Sequence, residues 1–285
     1  MPARIALASY ATGRNGIDIP PGDRLLRRAL LDAGHRASQA LWSSPTQNWR
    51  AFDAVIIRSC WDYHLRPQAF LDWIASLESA RVPVVNAPAL VRWNYDKRYL
   101  AALATAGIAI PDSVWLAAGE SLDLALHCRH QNWPAAVVKP LISASAHRTR
   151  IRHRGLARGP ALVQQFVPEI QTAGEWSLVF LSGQFSHAVR KLPASGDFRV
   201  QMEYGGSAVP GRPLVPAVAF ARRALAHAPA TPAFARVDIV LTASGPLLME
   251  LELIEPELFF PPTGHEAARA AAAILAALNF PGAQT

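Results

Sequence analysis

The chain has 285 residues, of which 51% are hydrophobic and 17% are charged, so it can bury a large core and is not a disordered chain. Lys and Arg outnumber Asp and Glu by 28 to 21, and the formal net charge of +7 favours an anionic partner, either a nucleotide phosphate or a nucleic acid. No apolar run reaches membrane-spanning length without interruption, "MPARIALASY" has no signal-peptide layout, and Cys60 and Cys128 form no close motif, so we expect a cytoplasmic protein with no membrane partner.

The N-terminal third alternates strand and helix patterns, which predicts a parallel sheet covered by helices. The predicted strands and helices are strands at 4–10, 37–42, 52–59 and 82–86, with helices from Leu25 to Ala33 and at 66–80. Polar residues at the carboxyl ends of such strands line the ligand crevice, and here they are Ser9, Tyr10, Arg58, Ser59 and Asn86. The glycines of "SYATGRNG" lack the dinucleotide-binding spacing, and no Walker loop, GxSxG or HExxH motif is present, so a hydride-transfer enzyme is disfavoured.

From residue 94 onwards the pattern becomes antiparallel and α+β in character. We predict a helix in "YDKRYLAALATAGI", strands at 135–140 and 161–169, a hairpin at 175–191 turning at Ser182-Gly183, a hairpin at 234–256 turning at Ser244-Gly245, and a helix in the alanine-rich end. The predicted units are 1–93 as the substrate-side domain, 94–166 as a small subdomain, and 167–285 as a C-terminal subdomain.

The second hairpin carries an unusual set of charges. In "LLMELELIEP" (247–256), alternation puts Glu250 and Glu252 on one face, about 6.7 Å apart along the strand. At that distance two carboxylates repel by about 2.5 kcal/mol at an effective dielectric near ~20. Arg236 and Asp238 share a face of the preceding strand, and if the turn places the two pairs opposite one another, magnesium would make the carboxylates tolerable. The alternative is a strand whose polar residues face water.

The densest basic segment, "HRTRIRHRGLAR" (147–158), lacks the interleaved aromatic residues of a single-strand nucleic-acid platform. It is either a solvated loop or a loop that faces phosphates. We therefore predict no nucleic-acid partner, although an RNA-binding protein would show a steep salt dependence of affinity that would reveal it.

Several segments, taken in their order along the chain, resemble the ATP-grasp superfamily. They are "NYDKRYLAALATAGIAIP", "VVKP", "VQQFVPE" with "GEWSLVF", "HAVRK", "DFRVQ", "ARVDIV" and "MELELIEP". Within that superfamily the chain is similar to the bacterial glutathione-synthetase-like ligases, and "IRSCWDY", "WNYDK" and "ELELIEPELFF" most resemble the branch that includes D-cycloserine synthetase. The resemblance implies an α/β N-terminal parallel-sheet domain followed by an ATP-grasp fold whose two subdomains clamp ATP.

The same resemblance implies a role for each matching residue. The residues that would contact ATP are Lys97, Lys139, Ser145, Gln164, Gln165, Phe166, Val167 and Glu175, with Glu169 as a less favoured choice for the ribose. Lys191 and Arg199 would neutralise the transferred phosphate, and Arg236 would stabilise the acyl phosphate and the tetrahedral intermediate. Asp238, Glu250 and Glu252 would hold Mg²⁺, with Mn²⁺ as the alternative metal.

Two departures from the family pattern stand out. Glu252 occupies the position where asparagine is usual, which adds a negative charge to the metal site. The loop "PLISASAHRTR" after Lys139 contains no glycine, whereas many relatives cover the phosphates with a glycine-rich loop, so Ser143, Ser145 and Thr149 are the candidate donors there.

The implied reaction is ATP-driven activation of a carboxylate to an acyl phosphate, which a nitrogen nucleophile then attacks. The substrate is a small, amino-acid-like molecule, and Arg58 for its carboxylate, Asp62 for its amine and Tyr63 are the candidate contacts, each with a structural role as the alternative. The branch resemblance implies ring closure of O-ureido-D-serine to D-cycloserine in antibiotic biosynthesis. The alternatives are a ligase that joins another small amino acid or peptide to an amine, and a non-catalytic nucleotide-binding protein; a homodimer is left open.

Overall fold

The computed structural model describes residues 1–11, 19–200 and 204–280, so most of the segment "SYATGRNG" lies outside the described residues. The N-terminal unit is a four-stranded parallel sheet with the strand order β2-β1-β3-β4, as the alternating pattern predicts. Its strands and helices are β1 (Arg4–Ser9), α1 (Pro21–Asp32), β2 (Arg36–Leu41), β3 (Ala54–Ile57), α2 (Pro67–Ser79) and β4 (Val84–Val85). Every residue of β3 is buried, which explains its unbroken run of apolar side chains.

A second sheet, which is antiparallel, has the order β5-β10-β7-β8, and a short ribbon pairs β6 with β9. The elements of this part are α3 (Pro88–Asn94), α4 (Tyr99–Thr105), β5 (Ser113–Leu116), β6 (Ser121–Asp123), α5 (Leu124–Gln131), β7 (Ala136–Lys139), β8 (Arg150–Arg152), β9 (Leu156–Arg158) and β10 (Ala161–Gln165). The side chain of Asp123 caps the first turn of α5 by accepting from the Leu126 N–H at 2.9 Å. The small subdomain is thus built on strands that are antiparallel throughout.

The third sheet is antiparallel with the order β13-β12-β11-β14-β15, and it contains both predicted hairpins. Its elements are α6 (Glu169–Thr172), β11 (Glu175–Leu181), β12 (Gln184–Leu192), β13 (Ser207–Gly211), α7 (Val215–Leu225), β14 (Phe234–Thr242), β15 (Gly245–Glu252) and α8 (His265–Ala277). The turn of the second hairpin lies at 243–244, one residue earlier than predicted, and Gly245 already pairs with Thr242 as the first residue of β15.

The C-terminal helix α8 packs against α1 of the N-terminal unit. Its small residues Ala267, Ala270 and Ala271 are buried in a cluster that includes Leu26 and Leu30 of α1, because alanines let the two helices approach closely. The first and last parts of the chain therefore share one core, and the predicted boundaries after residues 93 and 166 stay predictions. None of the described helices is long and apolar enough to cross a bilayer.

Side-chain hydrogen bonds of Asn86 and Asn94 join the N-terminal unit to the hairpin of β14 and β15. The Asn86 side chain donates to the carbonyls of Phe234 and Leu253 at 2.8 Å and accepts from the Ala233 N–H at 2.8 Å. Asn94 donates to the Leu251 carbonyl at 2.7 Å and accepts from the Leu253 N–H at 2.8 Å. The prediction that Asn86 lines a ligand crevice is therefore wrong, since its amide is used to join the two units.

Arg58 has a similar structural role at the end of β3. Its guanidinium donates to Asp23 at 2.9 Å and to the Pro256 carbonyl at 3.1 Å, and the Ser59 hydroxyl also donates to Asp23 at 2.9 Å. The side chains of Arg58 and Asp23 are each only 2% exposed. The prediction that Arg58 binds a substrate carboxylate is wrong for this arrangement, because its guanidinium is already paired with the carboxylate of Asp23.

We expect the substitution Asp23→Ala to lower the free energy of unfolding by about 3–5 kcal/mol, because it leaves the Arg58 charge buried without its partner. Denaturant titration followed by circular dichroism measures this loss. Asp32→Ala on the same helix is the matched control, because its pair with Arg28 is 58% and 76% exposed and contributes at most about 1 kcal/mol. Equal losses in the two variants would contradict the structural role of Arg58.

Candidate active site

A pocket of ≈ 290 Å³ lies between the second and third sheets, next to the loop that follows β3. Most of the predicted site residues line it: Tyr63, Lys97, Lys139, Ser145, Gln164, Gln165, Phe166, Val167, Glu175, Lys191, Arg199, Arg236, Asp238, Glu250 and Glu252. Arg58 and Asp62 do not line it, and neither does Glu169, the less favoured choice for the ribose. The contributing residues come from strand ends and loops of all three parts of the chain.

The hairpin of β14 and β15 has the register that the sequence argument required. Arg236 lies opposite Glu252 and Asp238 lies opposite Glu250, so the four side chains share one face. A bulge between Asp238 and Ile239 ends this alignment towards the turn. This face lines the pocket, and Arg236 and Asp238 are buried, so the alternative of a strand face turned to water is wrong.

Three cations neutralise the carboxylates of this face. Lys97 pairs with Glu250, and Arg236 pairs with both Asp238 and Glu252. Lys191 donates to Asp238 at 2.9 Å and also pairs with Glu175. Magnesium is therefore not needed to explain why the carboxylates are tolerated, and the described residues contain no group of three or more His, Cys, Asp or Glu arranged around a metal position.

Asp238 is at the centre of this network. It accepts from the Ser177 hydroxyl at 2.6 Å and from the Arg236 guanidinium at 2.9 and 3.0 Å, in addition to Lys191. Burial acts to raise the pKa of Asp238, but Arg236 and Lys191 outweigh it and hold the pKa well below its ordinary value. Burial likewise acts to lower the pKa of Arg236, while Asp238 and Glu252 raise it above its ordinary value. Both groups are therefore fully charged at neutral pH.

Glu252 differs from its neighbours. Burial raises its pKa to about 7, and although Arg236 opposes this, Asp238 and Glu250 add to it. On this face Glu252 is thus the carboxylate whose charged form burial opposes most clearly, despite its pair with Arg236. It occupies the position where asparagine is usual.

Lys139, at the end of β7, is the least neutralised cation of the pocket. It is partly exposed, and among the described residues no carboxylate lies within ion-pair distance of its ammonium. Desolvation lowers its pKa to about 8, although Glu250 partly opposes this. An anion that entered the pocket would find this ammonium free to pair.

The loop after Lys139 contains no glycine, yet three of its residues adopt the left-handed backbone conformation that glycine favours. Ser145, Ala146 and Arg148 have positive φ angles of 49°, 52° and 55°. The N–H groups of His147 and Thr149 donate back to Ala144 and Ala146 at 2.9 and 3.0 Å, which closes two successive turns. Ser143, Ser145 and Thr149 line the pocket as predicted donors, so the loop lies over the site.

The predicted adenine hinge is only partly available. The Phe166 N–H donates to the Ala135 carbonyl at 2.9 Å, so of that residue's backbone groups only the carbonyl can reach an adenine. Gln164 donates to the Ser113 hydroxyl at 2.9 Å, which fixes its amide in the wall. Apolar side chains that the sequence argument missed complete this end of the pocket: Val137, Ile170, Phe198, Val200 and Met249.

Arg199 lies at the edge of the pocket, where Asp197 holds it. Its Nε and terminal nitrogens donate to both carboxylate oxygens of Asp197 at 2.7–3.2 Å, and its guanidinium stacks over Tyr204 at 3.6 Å. The side-chain hydrogen bonds from Arg199 lower the pKa of Asp197 well below its ordinary value. The guanidinium is thus oriented by its neighbours while remaining partly exposed.

The substrate side of the pocket differs from the prediction. Asp62 accepts from the Trp42 indole at 2.6 Å and from Arg66 at 2.8 Å, away from the pocket, so its prediction as the amine-binding residue is wrong for this arrangement. Tyr63 does line the pocket. Glu255, which was not among the predicted site residues, lines it as well.

The chain is similar to known proteins over most of its length. A family model described as the N-terminal domain of D-cycloserine synthetase DcsG matches residues 5–86. The cycloserine biosynthesis protein DcsG of Streptomyces lavendulae is 29% identical over 265 residues, which cover 85% of this chain and 87% of that protein. A crystal structure of D-cycloserine synthetase DcsG has a TM-score of 0.81 at 26% identity and covers 96% of this chain and 99% of that one. A RimK domain ATP-grasp protein from Sphaerobacter thermophilus DSM 20745 shares the fold, with a TM-score of 0.62 at 20% identity and coverage of 98% and 99%.

The two antiparallel sheets around a cation-rich pocket, together with these matches, define the class of protein: the chain has the ATP-grasp fold and is an ATP-grasp ligase. Among such ligases it is similar to the glutathione synthetases and to D-cycloserine synthetase DcsG. The non-catalytic alternative is thereby set aside.

We expect ATP binding at pH 8 to take up as much as about half a proton, because the triphosphate favours the charged form of Lys139, whose pKa in the free protein is about 8. Calorimetric titrations in two buffers that differ in ionisation enthalpy measure this uptake. Lys139→Arg is the matched control, since a guanidinium keeps its charge at pH 8 and should reduce the uptake nearly to zero. An unchanged uptake in that variant would assign the proton to another group.

Proposed function

We propose that this ligase uses ATP and magnesium to convert the carboxylate of O-ureido-D-serine into an acyl phosphate and then closes the ring of D-cycloserine. The observation that carries the proposal is the convergence of five cations, Lys97, Lys139, Lys191, Arg199 and Arg236, on the pocket that the acidic face of the hairpin also lines. The similarity to DcsG over most of both chains supports the choice of substrate.

The proposed chemistry needs charge neutralisation more than a covalent catalyst. Phosphoryl transfer to a carboxylate brings two anions together, and positioned cations lower the cost of that approach. The C–N bond of the ring forms between the activated carboxyl carbon and the ureido nitrogen that is bonded to oxygen, and phosphate leaves. The product lacks the carbamoyl group, so water must release that group as carbon dioxide and ammonia.

The roles we assign follow from the contacts of the free site. Lys97 and Lys139 approach from two elements, α4's preceding turn and the end of β7, and would bind the triphosphate as point charges. Arg236 has a forked contact to Asp238 that fixes its plane, so it is preorganised to stabilise the anionic tetrahedral intermediate. Lys191 and Arg199 would stabilise the transferred phosphate, and the loop over the site would exclude water.

The donor set fits magnesium, which the family implies. Asp238, Glu250 and Glu252 offer only carboxylate oxygens, which are the ligands that a hard divalent cation prefers. Burial raises the pKa of Glu252 to about 7, and the charges of Asp238 and Glu250 add to this, so a bound cation would favour the charged form of this carboxylate. Bound with the triphosphate, magnesium would supply charge neutralisation between these carboxylates and the phosphate oxygens.

The substrate is tested by incubating the protein with ATP, magnesium and a panel of small amino acids, and by measuring ADP release together with product mass. We expect ADP release with O-ureido-D-serine and formation of D-cycloserine. Release with a different amino acid or peptide, and none with O-ureido-D-serine, would replace the proposed substrate by the alternative of a ligase that joins another acid to an amine.

We expect Arg236→Ala to lower kcat by about 10²–10³-fold, as removal of one preorganised oxyanion donor does in other enzymes. Because the substitution leaves buried carboxylates without a partner, Arg236→Lys is tested beside it; this variant keeps the charge but loses the fork. Arg92→Ala, at an exposed pair with Glu78, is the control and should keep full turnover. Thermal unfolding distinguishes a catalytic defect from a folding defect, and normal turnover in both Arg236 variants would remove the assigned role.

We expect magnesium to increase the affinity for a non-hydrolysable ATP analogue, and Glu250→Gln to lose most of this gain, because the variant removes one charged oxygen ligand. Glu252→Asn should keep it, since asparagine is the usual residue at this position in the ligases that the chain resembles. Calorimetric titration of the analogue with and without magnesium measures the gain, and Mn²⁺ bound per chain can be counted by electron paramagnetic resonance. The surface variant Asp72→Asn is the control, and the same gain in Glu250→Gln as in the control would contradict the metal assignment.

A further inference from the structure

The carboxylate of Glu255 is the least compensated charge in the pocket wall. It follows the end of β15 by three residues, lines the pocket and is only 9% exposed. Among the described residues its side chain has no ion pair, and its one hydrogen bond comes from its own backbone N–H. The neighbouring carboxylates Glu250 and Glu252 have Lys97 and Arg236 as partners, and Glu257, which also lines the pocket, accepts from the Phe259 N–H.

An unpaired carboxylate in such a place is unfavourable in the free protein. Burial raises the pKa of Glu255 well above its ordinary value, and the charges of Glu252 and Glu250 raise it further. Lys97 acts in the opposite direction but does not bond to it. Because buried carboxylates are normally paired, the arrangement indicates a partner that arrives with the ligand.

The surroundings of Glu255 are suited to a cation. The Trp61 indole donates to the Glu255 carbonyl at 3.2 Å, which fixes the aromatic loop after β3 beside this residue. Trp61, Tyr63 and Tyr95 all line the pocket, and Tyr63 packs against Tyr95 with ring centroids 5.8 Å apart. Burial and then the charge of Glu255 raise the pKa of Tyr63 well above its ordinary value. Aromatic faces next to a carboxylate attract ammonium groups.

We propose that Glu255, together with the rings of Trp61 and Tyr63, forms the subsite that binds the ammonium group of an amino-acid substrate. The proposal rests on the proposed ligase function and names the part of the substrate that this end of the pocket selects. It also moves the amine-binding role from Asp62, which was predicted from the sequence but does not line the pocket, to Glu255, which does.

The subsite has a consequence for the reaction. In O-ureido-D-serine the ureido nitrogen must attack the activated carboxyl carbon, while the amino group on the α-carbon must not. An amine that is paired with Glu255 stays protonated, and a protonated amine has no lone pair for attack. The same contact orients the α-carbon, so it favours ring closure over joining at the α-amine.

The test compares O-ureido-D-serine with its analogue that lacks the α-amine, in the wild-type protein and in Glu255→Gln. Affinity is measured by calorimetry with a non-hydrolysable ATP analogue present, and turnover is measured as ADP release. We expect the wild type to prefer the amine-bearing compound by about 10–100-fold, the usual effect of a charge-assisted hydrogen bond. In Glu255→Gln this preference should fall to within about 3-fold, because the neutral amide cannot pair with the ammonium.

Glu255→Gln removes an unpaired buried charge, so its thermal unfolding temperature should equal or exceed that of the wild type. Asp62→Asn is the matched control and should keep the wild-type preference for the amine. A full preference in Glu255→Gln, or its loss in Asp62→Asn, would overturn the proposal, and a loss of magnesium-dependent nucleotide affinity in Glu255→Gln would assign Glu255 to the metal instead.

The outcomes also separate this proposal from the proposed function. Amine-selective binding without ADP release would keep the subsite and remove the proposed reaction. ADP release with no selectivity for the amine would keep the reaction and remove the subsite. Failure of either compound to bind would remove both.

Discussion

The structure depends on one buried network of alternating charges, in which Glu175, Lys191, Asp238, Arg236 and Glu252 are joined in series. Each charge is costly to bury alone and acceptable only because its neighbour has the opposite sign. The network spans three adjacent strands, β12, β11 and β14, and continues onto β15. The side chains of the pocket wall are therefore held by ion pairs, and the strands that carry them are held by backbone hydrogen bonds. As a result, the cations are already oriented before an anion binds.

The N-terminal unit is joined to this wall by the polar residues at the ends of its own strands, so these residues are not available to bind a ligand. Asn86 and Asn94 bond to the backbone of β14 and β15, while Arg58 bonds to Asp23 and to the backbone after β15. In an isolated parallel sheet these polar residues at strand ends would be ligand contacts. Here they align the aromatic loop after β3 with the end of β15, and Trp61, Tyr63 and Glu255 of these segments line the pocket.

The local sequence pattern was enough to predict which residues of one strand share a face. Alternation placed Arg236 with Asp238 and Glu250 with Glu252, but their alignment across the hairpin depended on the turn. The structure sets that alignment with a turn at 243–244 and a bulge between Asp238 and Ile239. The local pattern was not enough for Asp62 and Glu255, because the residues beside each of them do not show whether its carboxylate has a partner. Only the packed structure shows that Trp42 and Arg66 satisfy Asp62 whereas nothing among the described residues satisfies Glu255. The pairing of Lys97 with Glu250 was missed for the same reason, since the two residues are 153 positions apart in the sequence.

The sequence alone determined the class of fold, the parallel sheet at the start, the two hairpins and the acidic face of the second one, because these follow from periodicity within short segments. It missed α3, α5, α6, α7 and the edge strands β5, β6, β8, β9 and β13, whose boundaries depend on what packs against them, and the strand predicted at 161–169 ends at Gln165. Tertiary structure decided which polar residues face the pocket and which join the units. The physical reason is that burial and pairing are properties of positions in space, and a charge's partner across the fold has no signature in the residues beside it.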